Sequence, residues 1–574
     1  MEEKNEEKRN LLIFFAVSLL IMLVHQHFFG RPVQIPPQNT PTIAATTNSI
    51  EIPTLSAVQP PAPPPPPPIP QDEEEPVRKI TINTKSMGGV ISSRGVKVET
   101  ILLKNYAETL QKPERVSILG DEKNAYYVTS DWYSEDKSVP LPSENSVWKV
   151  SGDELSENSP IVLSWDNKKG LLFEKHISID NNFVINIIDR VKNYGDCLVK
   201  LQSQLRIHRE FSKDSTGAWT FYEGPIGYLG GRLEEISYDD IDKKNEITHD
   251  TKGGWFGITD KYWLVAFIPS QNASCHVSYG RFSDNNKKGY DVKGRGDVLQ
   301  VAPSSEISIT NHLFLGAKEI KTLDMYEETL GVKHFDLALD FGNLYFMTKP
   351  LLYALAFAKD AVGNMGLGIL LITLIIKLLL LPLANKAYKS MNRMKEIQPK
   401  IQALQKKHAD DKSRLGQEIS ELYKKENINP IGGCIPSLLQ SPVLFALYKV
   451  LYISIEMRQA PFIGWIHDLS MPDPLTIFNL FGLLPLNLPE FLQIGIWPLL
   501  MGLSMLLQQK MGPESADPAQ ASMMLMLPIM FTFMFAQLPS GLVIYWTFSN
   551  ILSIGQQYYI SRLARQSREH EHKN

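Results

Sequence analysis

Two hydrophobic patterns divide the chain. Between Val77 and about Gly331, apolar and polar residues alternate in short runs such as "GVKVETILL", "FVINIIDRV" and "EISITNHLFL", separated by Gly, Asn, Asp and Ser. A period of two buries one face of each run and exposes the other, so these runs predict β-strands. Their spacing predicts an antiparallel sandwich or barrel of about 250 residues. Beyond Phe335 the alternation gives way to long apolar stretches at 365–383, 435–455, 491–507, 523–536 and 542–560. The first is about nineteen residues long, close to the ~20 that cross a hydrocarbon core. Just before it, "NLYFMTKPLLYALAFAK" (343–359) mixes aromatic and aliphatic residues with lysines and a proline, which predicts a helix lying in the membrane interface.

A further apolar run, Leu11 to Phe29, follows the charged opening "MEEKNEEKRN" and has no small-x-small cleavage site close behind it. It reads as a retained signal anchor and brings the expected spans to six. From Arg31 to Pro76 the chain is rich in Pro, Thr, Gln and Ala, including "PPAPPPPPPIP" and then "DEEE". Such a composition cannot bury a core and favours extended polyproline geometry, so it predicts a spacer. The expected organisation is therefore an anchor at 1–30, a spacer at 31–76, a β-rich domain at 77–335, a helical membrane core at 336–562 and a basic tail at 563–574.

Charge sets the orientation. Lys and Arg are dense between Lys386 and Lys425, recur at Lys510, and return at Arg562, Arg565, Arg568 and Lys573, whereas the loop from Arg458 to Glu490 holds one arginine and no lysine. The positive-inside bias then places both termini in the cytoplasm and the β-rich domain outside it, in the periplasm of a bacterium. Because the basic residues flank apolar runs, the net charge of -4 gives no indication of direct nucleic-acid binding. Cys197 and Cys275 could pair in an exported domain, while Cys434 has no thiol partner nearby, so the three cysteines make no disulfide framework.

Within this layout the chemistry concentrates at few places. Lys377 is the only charge in the 365–383 span. An ammonium near a helix centre costs ~2.5–3.5 kcal/mol on the insertion scale, so its default reading is a functional group facing water or protein. The basic loop has apolar residues Met394, Ile397, Ile401 and Leu404, a polar "HADD", then Leu415, Ile419 and Leu422. Helical spacing on both sides of a polar break predicts an antiparallel helical hairpin within 386–428, a docking arm. Methionines gather at Met501, Met505, Met511, Met523, Met524, Met526, Met530 and Met534. Flexible thioethers suit a surface that greases diverse transmembrane segments, and they also serve as ordinary lipid-facing filler. No Gly-rich phosphate loop or HExxH occurs, and no core span contains a histidine, so the residues point to no enzyme and no cofactor.

The stretches "RQAPFIGWIHDLSMPDP" (458–474), "NPIGGCIPSLLQSPVLFALY" (429–448), "LPSGLVIYWTFSN" (538–550) and "MNRMKEIQPKIQ" (391–402) resemble signatures of the YidC family of membrane protein insertases. The match extends through the anchor, spacer and β-rich domain, where "GGWFGITDKYWLVAFIP" (253–269) is similar to the Gram-negative form. The resemblance implies a multi-pass α-helical membrane protein, six spans with a five-helix insertase core, plus a periplasmic all-β supersandwich. It also implies a hydrophilic groove open to the cytoplasm and lipid in a bacterial inner membrane. Its implied partners are nascent membrane proteins, the Sec translocon with its accessory subunits, ribosome and signal-recognition targeting components, and membrane lipid.

The family usually carries an arginine where this chain has Lys377, so the positive charge is kept and the bidentate geometry of guanidinium is lost. Lys449 stands at a position expected to be uncharged and is read as snorkelling to the periplasmic interface. The family pattern places Thr373, Gln440, Tyr545, Trp546, Ser549 and Asn550 near the groove with Lys377. Three other classes compete. A solute transporter would commonly show paired internal repeats, which are not found; an intramembrane hydrolase lacks a base; and a periplasmic sugar-binding receptor rests on sandwich architecture alone.

Overall fold

The computed structural model describes residues 76–571 apart from 112–113, 121–124, 212–221, 285–286, 343, 409–410, 427–434, 479–492 and 513–517. The expected anchor, the spacer up to residue 75 and Cys434 lie outside the described residues. From Val77 onward the chain is one compact unit.

The alternating runs form strands of two sheets, with eleven strands in one and nine in the other among the described residues. Their inner faces meet: Trp132 of one sheet lies against Phe173 of the other, with ring centroids 6.2 Å apart. The longest ladder of the smaller sheet joins Val184–Asn193 to Ser305–Ala317, from Val184 opposite Phe314 to Asn193 opposite Ser305. In the strand Leu171–Ile179 every second side chain is buried, from Leu171 through Phe173, Lys175 and Ile177 to Ile179. Register thus carries a lysine into the core. Lys175 is fully buried there and forms an ion pair with Asp189, also fully buried, on the next strand. Ser130 of the facing sheet completes the cluster, accepting from Lys175 Nζ at 3.2 Å and donating to Asp189 Oδ2 at 2.9 Å. Cys197 is exposed and Cys275 buried, and both are free thiols, so the pairing considered for an exported domain is not made.

The helices are α1 (Tyr238–Lys244) within the β-rich domain, α2 (Ile320–Thr329) after its last strand, then α3 (Tyr345–Val362), α4 (Met365–Lys407), α5 (Lys412–Lys425), α6 (Ile435–Ile453), α7 (Ile496–Lys510), α8 (Pro518–Phe535) and α9 (Ser540–Glu571). Gly363 ends α3 in the left-handed region at φ 72, and Asn364 opens α4 by accepting from the Leu367 amide at 3.0 Å. A glycine stop followed at once by an asparagine cap makes this sharp reversal. Helix α4 runs on without a break from the apolar stretch into the first arm of the hairpin. Helix α5 folds back on it, so that Ile397 and Ile401 pack with Met394, Ile419, Leu422 and Tyr423, and His408 lies 3.0 Å from Glu418.

Among the described residues α4 is the one helix both long and apolar enough to cross a membrane, with a shorter apolar helix over Ala521–Phe535. The architecture is therefore a β-rich domain followed by a helical region, a coarser statement than the six spans expected. Part of that expectation, the 11–29 span, lies outside the described residues, and two features of the described helices also bear on it. Helix α7 has only 15 residues, and α9 is interrupted by the polar Ser549, Asn550, Ser553, Gln556 and Gln557.

One hydrophobic cluster runs without interruption from the sandwich into the helices. Polar ties accompany it. Arg458 Nη2 donates to the carbonyls of Ala107 and Glu108 at 2.7 Å each, and Gln459 Nε2 donates to Ala107 O at 3.0 Å. Lys449, expected to snorkel to the periplasmic interface, forms an ion pair at 2.6 Å with Asp340, in the segment joining α2 to α3.

Candidate functional site

Helix α4 presents Thr373, Lys377, Leu380, Ala384 and Tyr388 at intervals of three and four residues, so they share one face. Gln440 and Val443 of α6, Gln508 of α7, and Tyr545 and Gln556 of α9 close around that face. The cavity they enclose has a volume of about 40 Å³, room for roughly three waters. Lys377 Nζ donates to Gln440 Oε1 at 3.0 Å and to Ser553 Oγ at 2.7 Å. Both acceptors are neutral, and none of the described residues lining the cavity is acidic. An ammonium has three donors, so among the described residues Lys377 has one donor unmatched and no counter-charge in its cavity.

The acceptors are themselves held in place. Gln440 Nε2 donates to Ser549 Oγ, and the buried Tyr545 hydroxyl lies beside Gln440 and Ser549. Tyr545, Ser549 and Ser553 recur every four residues along α9, a polar stripe facing α4 and α6. Thr373 lines the cavity, but its hydroxyl is committed to the Ile369 carbonyl of its own helix at 2.6 Å.

A larger cavity of about 340 Å³ adjoins the first and is lined in part by Met391, Met505, Met524, Trp546, Asn550 and Gln557. Trp546 packs edge-on against Phe535 at 4.5 Å between centroids, and Asn550 Nδ2 donates to Ser504 Oγ at 2.9 Å. Of the residues expected around Lys377, then, Thr373, Gln440 and Tyr545 line its cavity, Ser549 supports Gln440, and Trp546 and Asn550 belong to the neighbouring one. The methionines divide as well. Met505 and Met524 line the larger cavity, Met501 is fully buried, and Met526, Met530 and Met534 face outward from α8.

Ser553, Tyr388, Gln508 and Gln556 were not among the expected site residues. Ser553 had a signal in the sequence: it stands four residues beyond Ser549 on the stripe that begins at Tyr545. Elsewhere, the ligating groups of Glu327, His334 and Asp336 lie within 4.8 Å of one another, but Asp336 is already engaged by Lys349 Nζ at 2.7 Å and by the Tyr345 hydroxyl at 3.0 Å.

Comparison with known proteins covers nearly the whole chain. Residues 79–354 match the family described as the YidC periplasmic domain, and residues 357–568 match the family described as the 60Kd inner membrane protein. Over 557 residues, 96% of this chain and 99% of the relative, the sequence is 43% identical to the membrane protein insertase YidC of Rickettsia massiliae (strain Mtu5). The same identity and coverage hold for the insertase of Rickettsia rickettsii (strain Sheila Smith). A solved structure, an active YidC insertase with its first transmembrane domain resolved, aligns over 85% of this chain and 95% of its own at 16% identity and a TM-score of 0.36. With 43% identity sustained over almost its full length, the chain belongs to the YidC family of membrane protein insertases.

Proposed function

We propose that this protein moves hydrophobic segments of nascent membrane proteins into the bacterial inner membrane, using the cavities between α4, α6, α7, α8 and α9 as a wet groove for the segment's exported tail. One observation carries the reading. Lys377 stands in an apolar helix, inside a polar cavity, held by two neutral oxygens and paired with no carboxylate among the described residues.

The energetics follow from that arrangement. A carboxylate on an exported tail costs roughly 2.5–3.5 kcal/mol in the middle of a membrane, as Lys377 itself does. Opposite charges about 4 Å apart attract by ~4 kcal/mol at an effective dielectric near 20, which offsets much of that cost while the tail is in transit. Water in the cavity keeps the pair transient. The apolar segment then leaves sideways, past the outward-facing Met526, Ile529 and Met530 of α8, into lipid.

The same reading places both termini and the α4–α5 hairpin in the cytoplasm, with the β-rich domain in the periplasm, on the charge bias of the loops. The hairpin receives targeting components or the translating ribosome, and the Sec translocon is a partner for larger clients. A solute-transport role finds no support among the relatives. The test is purified protein in liposomes given a small single-span client: tails protected from external protease support insertion, whereas solute flux without protected tails would overturn the reading.

A further inference from the structure

Three residues line both cavities: Tyr388, Gln440 and Gln508. Gln440 is committed within the protein, bonding with Lys377 and Ser549, and Tyr388 is buried with its hydroxyl beside Ser553. Three other amides of the groove are committed too, Gln556 to Asn385 at 2.8 Å, Gln557 to the Met511 carbonyl at 2.7 Å and Asn550 to Ser504 at 2.9 Å, while Gln509 lines the larger cavity alone. Gln508, by contrast, has no side-chain partner among the described residues. It is the half-buried polar group at the passage from the larger cavity to the one that holds Lys377.

We infer that Gln508 is a client-binding residue, which takes the backbone amide groups of the exported tail as they pass from the larger cavity toward Lys377. This deepens the proposed groove function and rests on it. A carboxamide offers two donors and an acceptor, the complement of a peptide unit. A tail crossing in extended form has just such N–H and C=O groups unmatched by a helix, and leaving them unmatched at membrane depth is costly. The amide carries no charge, so it serves every tail alike, whereas Lys377 favours acidic ones. The two groups divide the work: Gln508 receives peptide, Lys377 discriminates charge. A tail of Gly and Ser offers Lys377 no counter-charge and depends on Gln508 most.

The full-length protein in liposomes tests this, with two single-span clients that differ only in a Gly/Ser tail against one carrying Asp. Gln508→Leu should insert the Gly/Ser client roughly three- to tenfold more slowly per molecule of variant in the membrane, the range expected when one polar contact is left unmade. The Asp client should lose less, and Gln508→Asn, which keeps the amide, should recover part of the difference. A photoreactive group in the Gly/Ser tail should cross-link the unmodified protein at Gln508, a readout that needs no variant to fold. A helix-packing role for Gln508 would slow both clients equally and overturn the inference. So would cross-links within α7 that avoid Gln508, together with normal rates for Gln508→Leu. Absence of tail cross-links from the whole groove would instead overturn the groove reading beneath it.

Discussion

Lys175 and Lys377 are two lysines withdrawn from water, and their partners decide what each does. Lys175 meets Asp189 between the sheets and is spent on structure, whereas among the described residues Lys377 meets only the neutral Gln440 and Ser553. Lys175→Met alone should therefore leave Asp189 buried and unpaired, a loss of ~3–5 kcal/mol, while Lys175→Met with Asp189→Leu should restore most of it. Unfolding of the purified protein followed by tryptophan fluorescence ranks the variants, and a single variant as stable as the double would refute the pairing. Asp291 makes a pH prediction. Burial pushes its carboxyl up, but His208 at 2.7 Å and the Arg206 guanidinium at 3.0 Å outweigh burial and hold it at about 2. An unfolded aspartate titrates near 3.9, so this stabilisation is complete above about pH 4 and is lost as pH falls from there toward 2. Asp291→Asn should flatten that part of the acid-unfolding curve, and an unchanged curve would show the cluster to be inert. Lys377 was legible because a charge interrupts an apolar run. Lys175 was not, because a lysine in an alternating strand reads as solvent-facing until its neighbours Phe173 and Ile177 are seen to share its side.

At the scale of elements, a period of two located strands well: "FVINIIDRV" and "EISITNHLFL" lie in or against the paired strands Val184–Asn193 and Ser305–Ala317. Helix ends were harder to read, because apolar composition does not say where hydrogen bonding stops. Helix α4 continues through Pro382 and Pro399 to Lys407, so the stretch read as a span and the first hairpin arm are one rod. The contact of Ile397 and Ile401 with Ile419 and Leu422 gives that rod a short partner, and His408 with Glu418 closes the tip. Prolines at Ala403 and Glu418 should break the two arms at ~3 kcal/mol or more each. Insertion should fall while the amount of protein in the membrane holds, as measured by client protection against membrane abundance; full activity would make the arm dispensable.

At the scale of the whole molecule, the sandwich and the helices share one hydrophobic cluster, tied by Arg458 to Ala107 and by Lys449 to Asp340. The last pair was hidden in the sequence because its partners are 109 residues apart and neither has a local signature. The groove was half legible for a related reason. Family motifs point to Gln440, Tyr545 and Ser549, but which cavity each side chain enters is fixed by how five helices meet. In the proposed mechanism, what the molecule does with that groove turns on Lys377, which has no carboxylate partner among the described residues. The most direct measurement is insertion of two clients differing only in tail charge by Lys377→Arg, Lys377→Ala and Lys377→Glu in liposomes, normalised to variant in the membrane. Arginine should preserve insertion of both, alanine should fail mainly on the acidic tail, and glutamate should fail further on that same tail by repulsion. An alanine variant that inserts both clients at the unsubstituted rate, or loses both equally, would contradict the account.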